Sequence, residues 1–250
     1  MSRDKGYLYT EDEDEGINQD EEIMHEVEVI SASYQVAQKY AKVMGNSKII
    51  INSSSILDII MEECNIEFKI RHQVLDILAK NDKKPWTDVR KKLYETHSIP
   101  RKNIDKLGRL IKIEGDLEHV QKEITTMKGL ICRKSLLNEI NYFYSLESYC
   151  NWVDIPKSSL CFNIGMVLDQ YHIFYCGLFF KVVCSSNTDE QTILKQHIIE
   201  RQIAYGGRYD NQVSHFDVPT RTSNMFAVGV CINVDKIALH LASKDRYTPF

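Results

Sequence analysis

Ile203-Ala204-Tyr205-Gly206-Gly207-Arg208-Tyr209-Asp210 is the stretch on which the fold reading turns. A short apolar run ending in two glycines reads as a strand leading into a tight turn. Adjacent glycines admit positive φ and let a backbone come close to a ligand. Arg208, Tyr209 and Asp210 then put a cation, a ring and a carboxylate into one short segment. Taken alone, the string reads as a turn followed by a structural Arg–Asp pair. Its neighbours in the chain change that.

Downstream, residues 226–232 form a further apolar run that leads into a helical pattern through Asp235, Ile237 and Leu241. Upstream, residues 160–168 and 173–184 are apolar and aromatic, and predict two paired strands with a turn at Asp169-Gln170-Tyr171. Earlier still the texture is helical. Ile23, Val27, Ile30, Tyr34, Ala37 and Ala41 keep helical spacing over residues 22–44, and Gly45-Asn46 closes that helix. A short buried strand is expected at 48–52, centred on Ile49-Ile50-Ile51. Residues 55–145 read as a series of short one-faced helices that must pack on one another. Ser55 is the expected cap of the first, while Pro85 and Pro100 open two others. The order predicts an α+β fold with a second, helical lobe.

Charge is unevenly spread. Residues 1–30 carry eleven acidic and two basic residues, and the run from Glu11 to Glu15 repels itself, so residues 1–22 read as a disordered acidic leader. Residues 69–134 hold seventeen Lys/Arg against nine Asp/Glu, the composition of a phosphate-facing surface or of a solvated helical face. Lys91, Lys92, Arg101, Lys102, Lys106 and Arg109 are expected on the outer faces of those helices. The seven cysteines are odd in number and none has C-x-x-C spacing, so buried reduced thiols are expected, with no metal and no cofactor. No apolar run reaches the roughly 18–20 residues a membrane span needs, and the expected compartment is the cytosol.

Three segments together resemble the histidyl-tRNA synthetases. The string 203–210 looks like their strand-and-turn signature. Phe226-Ala227-Val228-Gly229-Val230-Cys231-Ile232-Asn233-Val234-Asp235-Lys236-Ile237 is similar to motif 3 of class II synthetases. Phe174-Tyr175-Cys176-Gly177-Leu178-Phe179-Phe180 resembles their Tyr-Tyr-Thr-Gly strand in the histidine pocket. All three come in the family's order, behind a helical insertion. The resemblance covers roughly residues 25–245 and implies a partial class II antiparallel sheet with flanking helices and a helical insertion lobe. It divides the chain into the leader (1–22), the start of the core (23–56), a basic insertion lobe (57–145) and the rest of the core with a degenerate motif 3 (146–250).

The departures from the family pattern concern charge. Gln170 stands where the family has its catalytic arginine, and a neutral amide lacks the charge-assisted bidentate contact. Lys181 replaces an acidic residue, Asn233 a glycine that admits ATP, and Lys236 the arginine that stacks on adenine. Motifs 1 and 2 are expected before residue 25, so the chain reads as part of a longer core. A histidyl-synthetase-like domain with such decay occurs in the regulatory region of the general-control kinase, and Val228-Gly229-Val230 followed by Val234-Asp235-Lys236-Ile237 is similar to that group's motif 3. Its insertion is resembled by Lys106-Leu107 and Glu114-Gly115-Asp116-Leu117. No kinase Gly-rich loop, His-Arg-Asp or Asp-Phe-Gly string is present, so if a kinase domain is attached, as the resemblance implies, it is expected upstream.

The function this implies is a non-catalytic module that binds uncharged tRNA and regulates an attached initiation factor 2 alpha kinase under amino-acid starvation. It is expected to form homodimers in the full protein and to have no membrane partner. The alternative is the C-terminal half of the core of a divergent histidine-tRNA ligase. The vestigial histidine/ATP pocket comprises Gln170, Tyr175, Gly177, Gly206, Gly207, Arg208, Tyr209, Asp210, Gly229 and Lys236. No residue is expected to be catalytic. The tRNA-binding candidates are Lys83, Lys84, Arg90, Lys91, Lys92, Arg101, Lys102, Lys106 and Arg109, since each phosphate contact needs a cation and adds salt-dependent affinity.

Overall fold

The computed structural model describes residues 19–80, 84–127, 134–168, 174–185, 202–214 and 226–245. Helix α1 (Gln19–Lys39) comes first, and a turn at Tyr40 separates it from α2 (Ala41–Met44). Strand β1 (Asn46–Ser53) follows, and then the lobe: α3 (Ser54–Glu63), α4 (Arg71–Ala79), α5 (Trp86–His97), α6 (Arg101–Leu110), β2 (Glu114–Gly115), α7 (Leu117–Thr126) and α8 (Lys134–Trp152). The chain ends in β3 (Leu160–Asn163), β4 (Leu178–Ser185), β5 (Gln202–Arg208), α9 (Asp210–Ser214), β6 (Val228–Ile232) and α10 (Val234–Asp245).

One six-stranded sheet runs in the order β2-β3-β1-β4-β5-β6. Its pairings are antiparallel except β1 with β3, which is parallel, with Ile49, Ile50 and Ile51 beside Leu160, Cys161 and Phe162. The sheet is therefore mixed, where the resemblance implies an antiparallel one. The hairpin expected across Asp169-Gln170-Tyr171 does not form, because β1 lies between β3 and β4. The physical reason is burial. The Ile49-Ile50-Ile51 run makes β1 a central strand with a neighbour on each side, and local turn chemistry cannot show that.

Side chains alternate across the pleat. Ile49, Ile51, Phe162, Phe180 and Val182 lie on one face and are fully buried. Helix α1 covers this face with Ile23, Val27, Ile30, Tyr34 and Ala37, all buried at helical spacing. Helix α8 completes the cover, and Phe143 meets Phe162 with ring centroids 5.1 Å apart. The opposite face carries Lys48, Ile50, Lys181, Val183, Tyr205 and Cys231 and is partly exposed.

Helices form over the stretch whose sequence predicts them, with local adjustments. Pro85 and Pro100 immediately precede α5 and α6. Helix α3 is capped by Ser53, whose hydroxyl accepts from the Ser55 amide at 3.2 Å, so the cap falls two residues before the expected Ser55. Asp116 caps α7 by accepting from the His119 amide at 2.8 Å. The Trp86 indole lies directly on Gly108, where a Cβ would come within 2.4 Å of it. No helix among the described residues is long and apolar enough to cross a membrane.

Candidate functional site

The C-terminal ends of β1 and β5 flank the start of β4, with Ser53 beside Leu178 and Gly207 beside Phe179. A cleft of about 730 Å³ opens at this point, roofed by the first turns of α1 and the middle of α8. Gly177 forms part of its floor. Its amide donates to Ser54 Oγ at 2.7 Å, and its carbonyl accepts from the Ser54 amide at 2.9 Å. Its φ of 98° lies in the left-handed region that favours glycine.

Arg208 is the organising side chain. Its two terminal nitrogens donate to the Glu22 carboxylate at 2.5 and 3.1 Å, and its Nε donates to Asp210 at 2.5 Å. The guanidinium also lies 4.5 Å from the centre of the Phe226 ring. Asp210 uses its other oxygen to accept from the Ala227 amide at 2.8 Å. One arginine thus ties the N-terminus of α1 to β5 and to the segment entering β6. Burial disfavours the Arg208 cation, but the hydrogen bonds and charges of Glu22 and Asp210 outweigh it and raise its affinity for the proton.

Behind this clamp Glu26 is fully buried, and the Tyr142 hydroxyl donates to its carboxylate. Burial pushes the Glu26 carboxyl up to about 7. The Tyr142 bond and the Arg208 charge oppose this rise, while Glu22 and Asp210 reinforce it. Burial and the Glu26 charge raise Tyr142 well above the usual phenol range. The lining holds four carboxylates, Glu22, Asp58, Glu139 and Asp210, and the buried Glu26, which keeps its proton up to about pH 7, against Arg208 among the described residues. Electrostatically the cleft suits a cation and repels a polyphosphate.

Tyr175, Gly177, Arg208 and Asp210 line this cleft together. Gly206 and Gly207 lie within β5, so the turn expected there is a strand. Neither has positive φ. They are small because neighbouring strands crowd them: a Cβ on Gly206 would lie 2.3 Å from the Gly229 carbonyl oxygen, and one on Gly207 2.5 Å from that of Leu178. Gly229 leaves room for the Tyr209 hydroxyl, 3.1 Å from where its Cβ would be. Lys236 lies apart, at the start of α10. Its amide donates to Asn233 Oδ1 at 2.9 Å, which caps that helix, and its ammonium donates to the Gln202 carbonyl at 3.4 Å. Gln170 lies outside the described residues.

Sequence reasoning missed Glu22, Glu26 and Tyr142. The acidic composition of residues 1–22 hid Glu22, although α1 begins at Gln19. The available signal was the four-residue spacing of Glu22 and Glu26, which puts both on one helical face.

In the lobe, Lys84, Arg90, Lys91, Lys92, Arg101, Lys102 and Arg109 are exposed. Arg90 pairs with Asp105 at 2.9 Å, Lys91 with Glu95 at 3.9 Å, and Arg101 lies 5.2 Å from the centre of the Tyr94 ring. Lys106 departs from the expected outer face. It is half-buried and donates to the Glu63 carbonyl at 2.9 Å and to the Glu63 carboxylate, because α6 packs against the end of α3. Lys83 lies outside the described residues. The described cysteines, Cys64, Cys150, Cys161, Cys176, Cys184 and Cys231, are all free thiols.

Known proteins resemble this chain in sequence and in fold. The mitochondrial histidine–tRNA ligase of Saccharomyces cerevisiae is 25% identical over 206 residues, 76% of this chain and 37% of the ligase. The eIF-2-alpha kinase GCN2 of Mus musculus is 27% identical over 220 residues, 84% of this chain and 12% of the kinase. The chain therefore spans well under half the length of either relative. The crystal structure of histidyl-tRNA synthetase from Nostoc sp. PCC 7120 matches with a TM-score of 0.70 at 17% identity, over 90% of this chain and 48% of that one, which shows the fold to be the class II synthetase-like α+β type. Residues 15–237 match the histidyl-tRNA synthetase family, a span that includes the Arg208 clamp, the strands around it and the whole lobe, and the chain belongs to that family.

Proposed function

We propose that this chain is a non-catalytic histidyl-tRNA-synthetase-like module that binds uncharged tRNA and regulates an attached initiation factor 2 alpha kinase. The observation that carries the reading is the charge of the cleft. Amino-acid activation develops negative charge at the α-phosphate, and a site for it needs unengaged cations aimed at that position. Here the arginine of the cleft is already bonded to Glu22 and Asp210, and all five acidic side chains of the lining come from helices around the strands. The motif 3 positions fit the same reading, since Asn233 caps a helix and Lys236 reaches a backbone carbonyl. Similarity to the mouse kinase over 84% of the chain supports the regulatory context.

The tRNA surface in this reading is the exposed cationic face of the lobe. Lys92, Lys102 and Arg109 head the set, and Arg90, Lys91 and Arg101 keep charge at the surface beside their partners. The test is fluorescence anisotropy with labelled deacylated tRNA over a salt series. Affinity is expected to fall steeply with salt, and Lys102→Glu with Arg109→Glu is expected to weaken binding and flatten the slope. Salt-independent binding, or none by the full-length protein, would refute the reading.

The alternative is a divergent histidine-tRNA ligase of which this is the C-terminal half of the core, favoured by the identity to the yeast ligase over 76% of the chain. Histidine-dependent ATP–pyrophosphate exchange by the full-length protein would establish it and exclude the first reading.

A further inference from the structure

Tyr94 is one of the few large apolar side chains exposed among the described residues, and it is the one that lies in the basic stretch of the lobe. Residues 84–109 carry eight Lys/Arg against three Asp/Glu. Helix α5 buries Val89 and Leu93, while Tyr94 stands on the outer side at 46% exposure. Arg90 and Lys91 precede it by one helical turn and share its side of the helix. Arg101, the first residue of α6, lies over its ring, 5.2 Å from the centroid. Phe68 provides a contrast. Arg71 lies 5.5 Å from the centre of its ring, but that arginine is also paired with Asp58 at 3.4 Å and with Glu62 at 3.7 Å. Among the described residues no carboxylate is paired with Arg101 or Lys102.

The backbone holds Tyr94 and Arg101 in place. Only Ser98, Ile99 and Pro100 join α5 to α6. Ser98 has a φ of 53° and its amide donates to the Tyr94 carbonyl at 2.9 Å, while Ile99 is buried. Arg90 closes the helical hairpin by pairing with Asp105 at 2.9 Å, and Lys91 lies 3.9 Å from Glu95. A ring and a guanidinium fixed in this way lose little freedom when a ligand arrives. Both are planar π-systems on which a nucleic-acid base can stack, and the cations around them suit the phosphates on either side of that base. A duplex keeps its bases inside its own stack and presents phosphates and sugars. A stacking platform therefore favours a nucleotide that is unpaired.

We infer that Tyr94 and Arg101 form a stacking platform for an unpaired nucleotide of RNA, with Lys91 and Lys102 meeting the flanking phosphates. The inference rests on the tRNA reading of the lobe and narrows it: part of the binding comes from a ring that carries no charge, and that part is specific for single-stranded RNA.

The probes are a fluorescently labelled blunt RNA duplex and the same duplex with a short unpaired extension, each titrated with the full-length protein over a salt series. Tyr94→Ala is expected to weaken binding of the extended duplex roughly tenfold and to leave the blunt one unchanged. The salt slope stays the same for both, since no cation is removed. Tyr94→Phe keeps the ring and is expected to keep the affinity. Arg101→Lys keeps the charge but loses the plane, and is expected to weaken the extended duplex selectively; it keeps the test decisive if Tyr94→Ala does not fold. Phe68→Ala is expected to change neither affinity. An equal loss on both duplexes, or full affinity for the extended duplex in folded Tyr94→Ala and Arg101→Lys, would overturn the inference. If that happens while Lys102→Glu with Arg109→Glu still weakens tRNA binding, the tRNA reading stands and the platform alone falls; if neither duplex nor tRNA binds, both fall.

Discussion

Replacing Glu26 by glutamine is expected to make the protein more stable at pH 8 and to leave it nearly unchanged at pH 4.5. Glu26 is buried at 1% exposure between α1 and α8, with Tyr142 donating to its carboxylate. Burial lifts its carboxyl from the ordinary value of 4.5 to about 7. Each tenfold gain in proton affinity is worth about 1.4 kcal/mol, so the ionised form is disfavoured in the folded protein by about 3 kcal/mol. The folded state holds this proton more tightly than the unfolded chain. Its contribution is therefore fully present below pH 4.5 and is lost as pH rises through about 7. Glutamine has no proton to lose and keeps an amide oxygen for the Tyr142 hydroxyl. The stability difference, variant minus native, is then near zero at pH 4.5 and approaches about 3 kcal/mol in the variant's favour at pH 8. Urea unfolding at the two pH values, followed by circular dichroism, measures it. A variant less stable than the native protein at pH 8 would refute the reasoning, because it would mean that Glu26 is ionised and holds Arg208.

Arg208→Lys keeps the charge but loses the fork that holds Glu22 and Asp210, and is expected to lower stability by about 2 kcal/mol; a thermal melt within error of the native one would show that the clamp contributes nothing to stability. Gly207→Ala puts a Cβ 2.5 Å from the Leu178 carbonyl oxygen and 2.8 Å from Phe179 Cα, and is expected to cost about 1–3 kcal/mol by denaturant unfolding. Burial pushes the Cys64 and Cys150 thiols up to about 12, so at pH 8 a disulfide reagent is expected to label exposed Cys231 and to leave those two unmodified until the protein unfolds.

The helices of the lobe were legible because their signals are local. Pro85, Pro100 and the three- and four-residue spacing of Val89 with Leu93, or Ile104 with Leu107, act within one turn. The sheet was legible as a set of strands but not as an order. Nothing in residues 160–184 reveals that β1, more than a hundred positions earlier, lies between them. Gly206 and Gly207 were found for the wrong reason. A glycine demanded by a crowded strand and one demanded by a turn look identical in sequence, and the crowding atoms belong to Leu178 and Gly229. At the site, Arg208 and Asp210 stood out as a motif, whereas Glu22 lay hidden in a run whose composition suggested no packing partner.

The parallel pairing of β1 with β3 has a consequence for how freely the lobe can vary. Parallel neighbours must be joined by a crossover, and here the whole lobe, from Ser54 to Ser159, is that crossover. The entropy of closing such a loop grows only with the logarithm of its length, so doubling the lobe would cost only about 0.6 kcal/mol. The register of Ile49 on Leu160 is thus nearly indifferent to how much chain is looped out between them. Outer helices such as α5 and α6 can be gained, lost or recharged there while α8, the sheet and the Arg208 clamp stay as they are. A scaffold of this kind can exchange its outer surface for another and keep its interior.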